Sequence, residues 1–241
     1  MERDGRIMEA RRRVPAGLVQ PEGSYRFSAD ALLLAEFAAE QGGGAEASFA
    51  DIGSGCGAVA LALLLKEEGR LGVGLELLLP SAAAAEENAA LLGLEGRFRM
   101  ERGDAGDTAC LRAMRRALAD MLGNPECLPL FDAVVCNPPW RLAVAGRIPP
   151  SDARRTALFG DGETFGIFFR AADAVLRQGG ALYAVAGAER TADLLAALPQ
   201  RMRPELLRLV FTKKDSPAEF VLLKAVKNGR KMLRVEASQV G

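Results

Sequence analysis

The chain predicts an α/β fold, doubly wound, with a mostly parallel seven-stranded sheet and an antiparallel strand pair at the C-terminal end. Three observations predict it. From Ser48 onward, short apolar runs alternate with longer alanine- and leucine-rich stretches. The first run opens into the glycine-rich turn Gly53-Ser54-Gly55-Cys56-Gly57. Successive runs then finish in small or acidic residues, at Glu76, Gly103-Asp104 and Cys136.

Residues 1–24 are charged and interrupted by Pro15, Gly17, Pro21 and Gly23, which predicts an N-terminal arm or hairpin ahead of a single domain over 25–241. Ser28 is a natural N-cap for an apolar helix from Ala31 to Glu40, and Gly42-Gly43-Gly44 should stop it. Strand Ser48 to Ile52 feeds a helix from Ala58 to Glu68. Strand Leu71 to Leu75 precedes a helix from about Pro80 to Leu92, and strand Arg97 to Glu101 follows. Thr108 to Leu122 is basic and amphipathic, fit to cover the sheet from outside. Strand Phe131 to Cys136 is followed by a loop rich in Arg and Pro, then a helix around Phe165 to Leu176. Gly179-Gly180 should turn into strand Ala181 to Ala186, and Thr191 to Leu198 should return as a helix. Leu206 to Phe211 and Glu219 to Ala225 should close the sheet as a hairpin.

A chain of 241 residues, 49% of them hydrophobic, can bury one full core. Lys and Arg together number 31, as do Asp and Glu, so no global field draws in a polyanion and any phosphate-binding surface must be local. Candidate clusters are Arg11 to Arg13, Arg147 to Arg155, and Lys213-Lys214 with Lys224 to Arg234. Histidine is absent, which excludes Ser-His-Asp and Cys-His catalysis and the commonest transition-metal ligand. No metal site is expected. The four cysteines are scattered without a C-x-x-C pair, as reduced thiols of a cytoplasmic protein would be. No stretch reaches the roughly 18 apolar residues that span a bilayer, so no membrane partner is expected.

The run Phe131-Asp132-Ala133-Val134-Val135-Cys136 ends in Asn137-Pro138-Pro139-Trp140. Two prolines cannot continue a central ladder, so a buried strand delivers an amide, free carbonyls and the only tryptophan to the sheet edge where open α/β folds bind ligands. Such a ledge suits methylation of an amino group whose lone pair is delocalised into a ring or carbonyl. The Asn137 side-chain oxygen and the Pro138 carbonyl would hold its N–H groups and favour the pyramidal, nucleophilic nitrogen, while Trp140 stacks on a planar substrate. Alternatively, Asn-Pro-Pro only stops a strand and Trp140 plugs a core.

Asp51-x-Gly53-x-Gly55-x-Gly57 also fits the relaxed dinucleotide pattern Gly53-x-Gly55-x-x-Ala58, with Glu76 at a suitable distance for ribose hydroxyls. Acids at the strand ends, Asp51, Glu76 and Asp104, would repel a pyrophosphate but suit a sulfonium nucleoside bearing an ammonium. S-adenosylmethionine fits this pattern better than a nicotinamide dinucleotide.

Asp-Ile-Gly-Ser-Gly-Cys-Gly (51–57), Glu76, Gly103-Asp104 and Asn-Pro-Pro-Trp (137–140) together resemble the successive motifs of Rossmann-like, class I S-adenosylmethionine-dependent methyltransferases of the amino-group type. Tyr25-Arg26-Phe27-Ser28-x-Asp30-Ala31-Leu32-Leu33-Leu34-Ala35 and Pro217-Ala218-Glu219-Phe220-Val221-Leu222-Leu223 further resemble the subfamily that N6-methylates adenosine in tRNA(Val). That subfamily usually has tyrosine where Trp140 stands. The resemblance implies a methyltransferase in which Asp51, Gly53, Ser54 and Gly55 meet the methionine part of the cofactor and Glu76 the ribose. Asp104 and Ala105 would meet the adenine, with Phe27, Asp30 and Asn137 beside the same pocket. It implies catalysis by Asn137, Pro138, Pro139 and Trp140, and tRNA as partner. Other readings are a protein glutamine N5-methyltransferase, a DNA adenine methyltransferase, and a module that binds cofactor or RNA without catalysis. The glutamine class usually carries a helical domain ahead of its cofactor loop, where only 50 residues precede Asp51 here.

Overall fold

The computed structural model describes residues 2–22, 27–42, 47–140 and 162–239. Tyr25 and Arg26, the stop at Gly43-Gly44, and the loop carrying Arg141, Arg147, Arg154 and Arg155 lie outside the described residues.

The sheet comprises β1 (Ser48–Ile52), β2 (Leu71–Glu76), β3 (Phe98–Arg102), β4 (Phe131–Cys136), β5 (Leu176–Gly187), β6 (Met202–Phe211), β7 (Phe220–Lys227) and β8 (Arg234–Gln239). Its order is β3-β2-β1-β4-β5-β7-β6-β8. The β1, β2, β3, β4 and β5 pairings are parallel, β7 runs antiparallel to both β5 and β6, and β8 lies parallel to β6. The fold is therefore the doubly wound, mostly parallel sheet with an antiparallel C-terminal pair, but with eight strands among the described residues rather than seven.

Successive side chains of a strand point to opposite faces, so a strand covered on both sides must be apolar throughout. In β4, Ala133 and Val135 enter one core, while Val134 and Cys136 enter the other. The first core is roofed by α2 (Ala29–Gly42), α3 (Ala58–Lys66) and α4 (Leu79–Leu91), through residues such as Phe37, Leu61 and Ala85. The second lies under α5 (Thr108–Met121), α6 (Gly162–Val175) and α7 (Thr191–Ala196), through Met114, Phe169 and Leu194. Asp107 caps α5 by accepting the Ala109 N–H at 2.8 Å. No helix among the described residues is long and apolar enough to cross a membrane.

Three local expectations are corrected. Glu2–Arg13 is a helix, α1, not an extended arm or hairpin. Ile7 packs against Gly93, and Arg11 Nε donates to the Leu92 carbonyl at 2.9 Å, so α1 docks on the end of α4 through two side chains that its charged sequence obscures. Strand β5 begins at Leu176 rather than Ala181, because Gly179-Gly180 is absorbed into the strand at an irregularity in its pairing with β4. Strand β8 was missed because, among the described residues, only one of its edges is paired and its sequence, Arg-Val-Glu-Ala-Ser-Gln, is mostly polar.

The strand order reverses between β1 and β4. Chain connections leave these neighbours in opposite directions, and a crevice opens above their C-terminal ends.

Candidate functional site

That crevice holds a cavity of about 360 Å³, within the roughly 300–1,000 Å³ of small-molecule sites. The loop after β1 forms its floor. Gly53 and Ser54 N–H groups both donate to the Leu75 carbonyl, at 2.8 and 3.0 Å, and so bend the chain across the end of β2. Gly53 and Gly55 have φ of 75° and 58°, where side chains are strained. A Cβ on Gly53 would lie 2.7 Å from the Phe168 ring, whereas one on Gly55 would meet nothing within 4 Å. The turn thus needs glycine at Gly53 for packing, and presents bare backbone at Gly55 to whatever fills the cavity.

Glu76 ends β2 and is only 9% exposed. Its Oε2 accepts the Gly55 N–H at 2.9 Å, and its Oε1 accepts the Leu78 N–H at 2.8 Å. One carboxylate therefore pins the glycine loop to the start of α4. Each oxygen keeps a further lone pair for a ligand hydroxyl. Beyond it, Leu77 is 48% exposed and lines the cavity as an apolar lip. Asp104 accepts the Gly106 N–H at 2.7 Å in a tight turn, and with Ala105 forms the far wall.

Asn137, Pro138, Pro139 and Trp140 line the cavity beside the glycine loop, since β4 is the in-register neighbour of β1, and Phe27 and Asp30 line it too. Asn137 Nδ2 donates to Asp30 Oδ2 at 3.1 Å. Trp140 is half-buried. It meets Phe220 edge-on with ring centroids 6.4 Å apart, and its backbone carbonyl accepts a hydrogen bond from Arg190 Nη1. Arg190 is itself held by Asp193 at 2.7 Å and by the Phe165 ring at 5.2 Å. The tryptophan is therefore a braced wall of the cavity, in contact with both cores and with open space.

Asp51 is the exception among the sequence candidates. It is 1% exposed, lies outside the cavity lining, and accepts the Ser54 hydroxyl at 2.9 Å from beneath the loop. Burial pushes its carboxyl up from 3.8 to about 7. The Ser54 hydrogen bond and the backbone at Ala60 oppose that shift, and the Glu76 charge adds to it. Burial also pushes the Cys56 thiol up to about 11, and the Cys136 thiol upward too, so neither is a thiolate nucleophile at neutral pH.

Sequence reading missed Thr164, Ile167 and Phe168 of α6, which close the cavity from above Gly53. Phe168 is indistinguishable in sequence from the core residues Phe165 and Phe169 on the same helix. Arg190 was missed as well; a lone arginine after a strand carries no pattern.

No protein-family model matches the chain, and no curated protein matches it in sequence. Solved structures share its fold. A predicted O-methyltransferase from Agrobacterium tumefaciens is similar at TM-score 0.62 and 21% identity, over 88% of this chain and 86% of that one. TrmN from Thermus thermophilus is similar at TM-score 0.54 and 21% identity, over 81% of this chain and 48% of that one. An O-methyltransferase from Bacillus cereus, solved in complex with SAH, is similar at TM-score 0.52 and 15% identity, over 93% and 91%.

Proposed function

We propose that the cavity binds S-adenosylmethionine and that the protein methylates a planar exocyclic amino group, adenine N6 in tRNA above all. The observation that carries this reading is the joining, in one cavity, of the glycine loop and Glu76 with the Asn137-Pro138-Pro139-Trp140 ledge. The residues fit the cofactor: bare backbone at Gly55, a carboxylate at Glu76 with lone pairs left over, an apolar lip at Leu77, and acids rather than bases around the floor. The SAH bound in the Bacillus cereus protein of like fold supports the same choice.

When bound, the cofactor supplies an electrophilic methyl group. The chain supplies the acceptors. Asn137 Oδ1 accepts no hydrogen bond among the described residues, and it and the Pro138 carbonyl would take the two N–H groups of the substrate. These bonds strengthen as the nitrogen turns tetrahedral and positive, which is where they lower the barrier. Trp140, braced from behind by Phe220 and Arg190, would stack on the extruded base.

The RNA reading is further supported by the charge around the mouth. The turn between β6 and β7 rises on the same sheet edge as the cavity, since Phe220 pairs with Gly187 at the end of β5, and it exposes Lys213 and Lys214. The test is transfer of labelled methyl from S-adenosylmethionine to separate tRNA, DNA and protein pools, followed by nucleoside analysis. N6-methyladenosine in the tRNA pool is the expected product. Label appearing only in protein would replace the reading with amide methylation, and label in none would overturn it.

A further inference from the structure

Asp30 has no evident reason to sit where it does if its task were only to border the cofactor. It is 1% exposed at the start of α2, and both of its oxygens are engaged. Oδ1 accepts the Ser28 hydroxyl at 2.6 Å and the Ala31 N–H at 2.9 Å, and Oδ2 accepts Asn137 Nδ2 at 3.1 Å across 107 residues of chain. The first two bonds fix the plane of the carboxylate. The third acts on the side chain that the ledge presents to substrate.

We propose that Asp30 is a positioning residue that sets the polarity of the Asn137 amide, turning its oxygen and not its NH2 toward the substrate amino group; the inference rests on the amino-methylation reading of the cavity. A primary amide has nearly the same shape when rotated by half a turn, so packing alone does not choose which end faces the cavity. A carboxylate chooses, because it accepts and cannot donate. With the amide reversed, two oxygens would face each other at 3.1 Å, and the NH2 would oppose the N–H groups it must hold. Asp30 also places negative charge behind the amide, which polarises the Asn137 oxygen as positive charge grows on the substrate nitrogen. Ser28 and the first turn of α2 thereby reach the chemistry without touching substrate.

The test is a polarity swap. In Asp30→Asn, the new amide satisfies Ala31 N–H and Ser28 with its oxygen, so its NH2 faces position 137 and reverses Asn137. Turnover should drop about 100-fold or more when measured at saturating S-adenosylmethionine, so that any loss of cofactor affinity is kept apart from it. Asn137→Asp alone sets two carboxylates against each other and should be equally impaired. The double variant Asp30→Asn with Asn137→Asp lets residue 30 donate to one carboxylate oxygen and leaves the other to accept from substrate, so it should recover at least about tenfold over either single change. A folded Asp30→Asn protein with wild-type turnover, or a double variant no better than the singles, overturns the proposal. A second readout needs no substrate. In 1H–15N spectra, one Asn137 Nδ2 proton should be slow to exchange and shifted downfield, and should lose both properties in Asp30→Asn; two fast-exchanging protons in the wild type overturn the proposal. If wild type methylates nothing, the functional reading fails, yet the amide spectrum still decides the Asp30–Asn137 pair.

Discussion

At the scale of single residues, the cavity keeps its acids apart by environment. Asp51 stands one residue before the end of β1 and Glu76 ends β2, yet both oxygens of Glu76 accept backbone N–H groups while Asp51 is buried under the loop against the Ser54 hydroxyl and the backbone at Ala60. With its carboxyl raised from 3.8 to about 7, Asp51 holds a proton in the folded protein at pH values where the unfolded chain has released it. Its contribution to stability is therefore present in full below pH 3.8 and is lost as pH rises toward about 7. Asp51→Asn should abolish that loss: the melting temperature of the variant relative to wild type should climb between pH 4 and 7 and level off above. The span corresponds to at most ~4 kcal/mol at ~1.4 kcal/mol per pKa unit. Melting curves of both proteins across this range decide it, and a constant difference would mean that Asp51 ionises normally. A bound cation offsets the cost of ionising Asp51, so cofactor affinity should rise over the same interval in wild type and not in Asp51→Asn.

At the scale of elements, the central strands and the turn residues were legible because burial on both faces leaves no freedom in composition. Every residue of β1 is buried, and Asn137-Pro138-Pro139 cannot be mistaken for continuing strand. What escaped reading is held by a few side chains rather than by a pattern. Helix α1 docks through Ile7 and Arg11, Phe168 looks like its core neighbours, and β8 adds an ion pair from Arg208 to its ladder with β6. From β6, Arg208 Nε reaches Glu236 of β8 at 2.6 Å, Nη1 reaches Glu40 of α2 at 2.7 Å, and the guanidinium lies 4.9 Å from the Phe37 ring centroid. Arg208→Ala cuts all three contacts. Because Glu40 is half-exposed, the cost should be about 1–2 kcal/mol rather than that of a buried network. Hydrogen exchange should locate it, with amides of residues 234–239 opening faster while β5 and β7 keep their protection. Uniform loss across the sheet would mean that β8 opens only together with the core and not as an edge strand braced by Arg208.

At the scale of the whole molecule, equal numbers of acids and bases make the location of charge matter more than its sum. Several cations of the basic clusters visible in sequence are already committed. Arg11 caps α4, Lys224 Nζ donates to the Gln41 carbonyl, and Lys227 is buried on the carbonyls of Asp173 and Leu176. A cation spent inside the fold releases no counterions from a nucleic acid. Lys213 and Lys214 are exposed, and their turn is anchored beside Trp140 through Phe220 and through the Ala188 N–H on the Glu219 carbonyl. If the ledge takes a base, these two lysines stand where the flanking phosphates run. Replacing both by alanine should weaken tRNA binding and reduce the slope of log affinity against log salt by about 1.4–1.8, or about 0.7–0.9 for each lost contact. The same change at Arg12 and Arg13, in the last turn of α1, should leave the slope within error. Affinity for S-adenosylmethionine should not move in either variant, since neither pair lines the cavity. A salt slope insensitive to Lys213 and Lys214, with the cavity intact, would place the substrate's phosphates elsewhere on the surface or remove nucleic acid as the substrate.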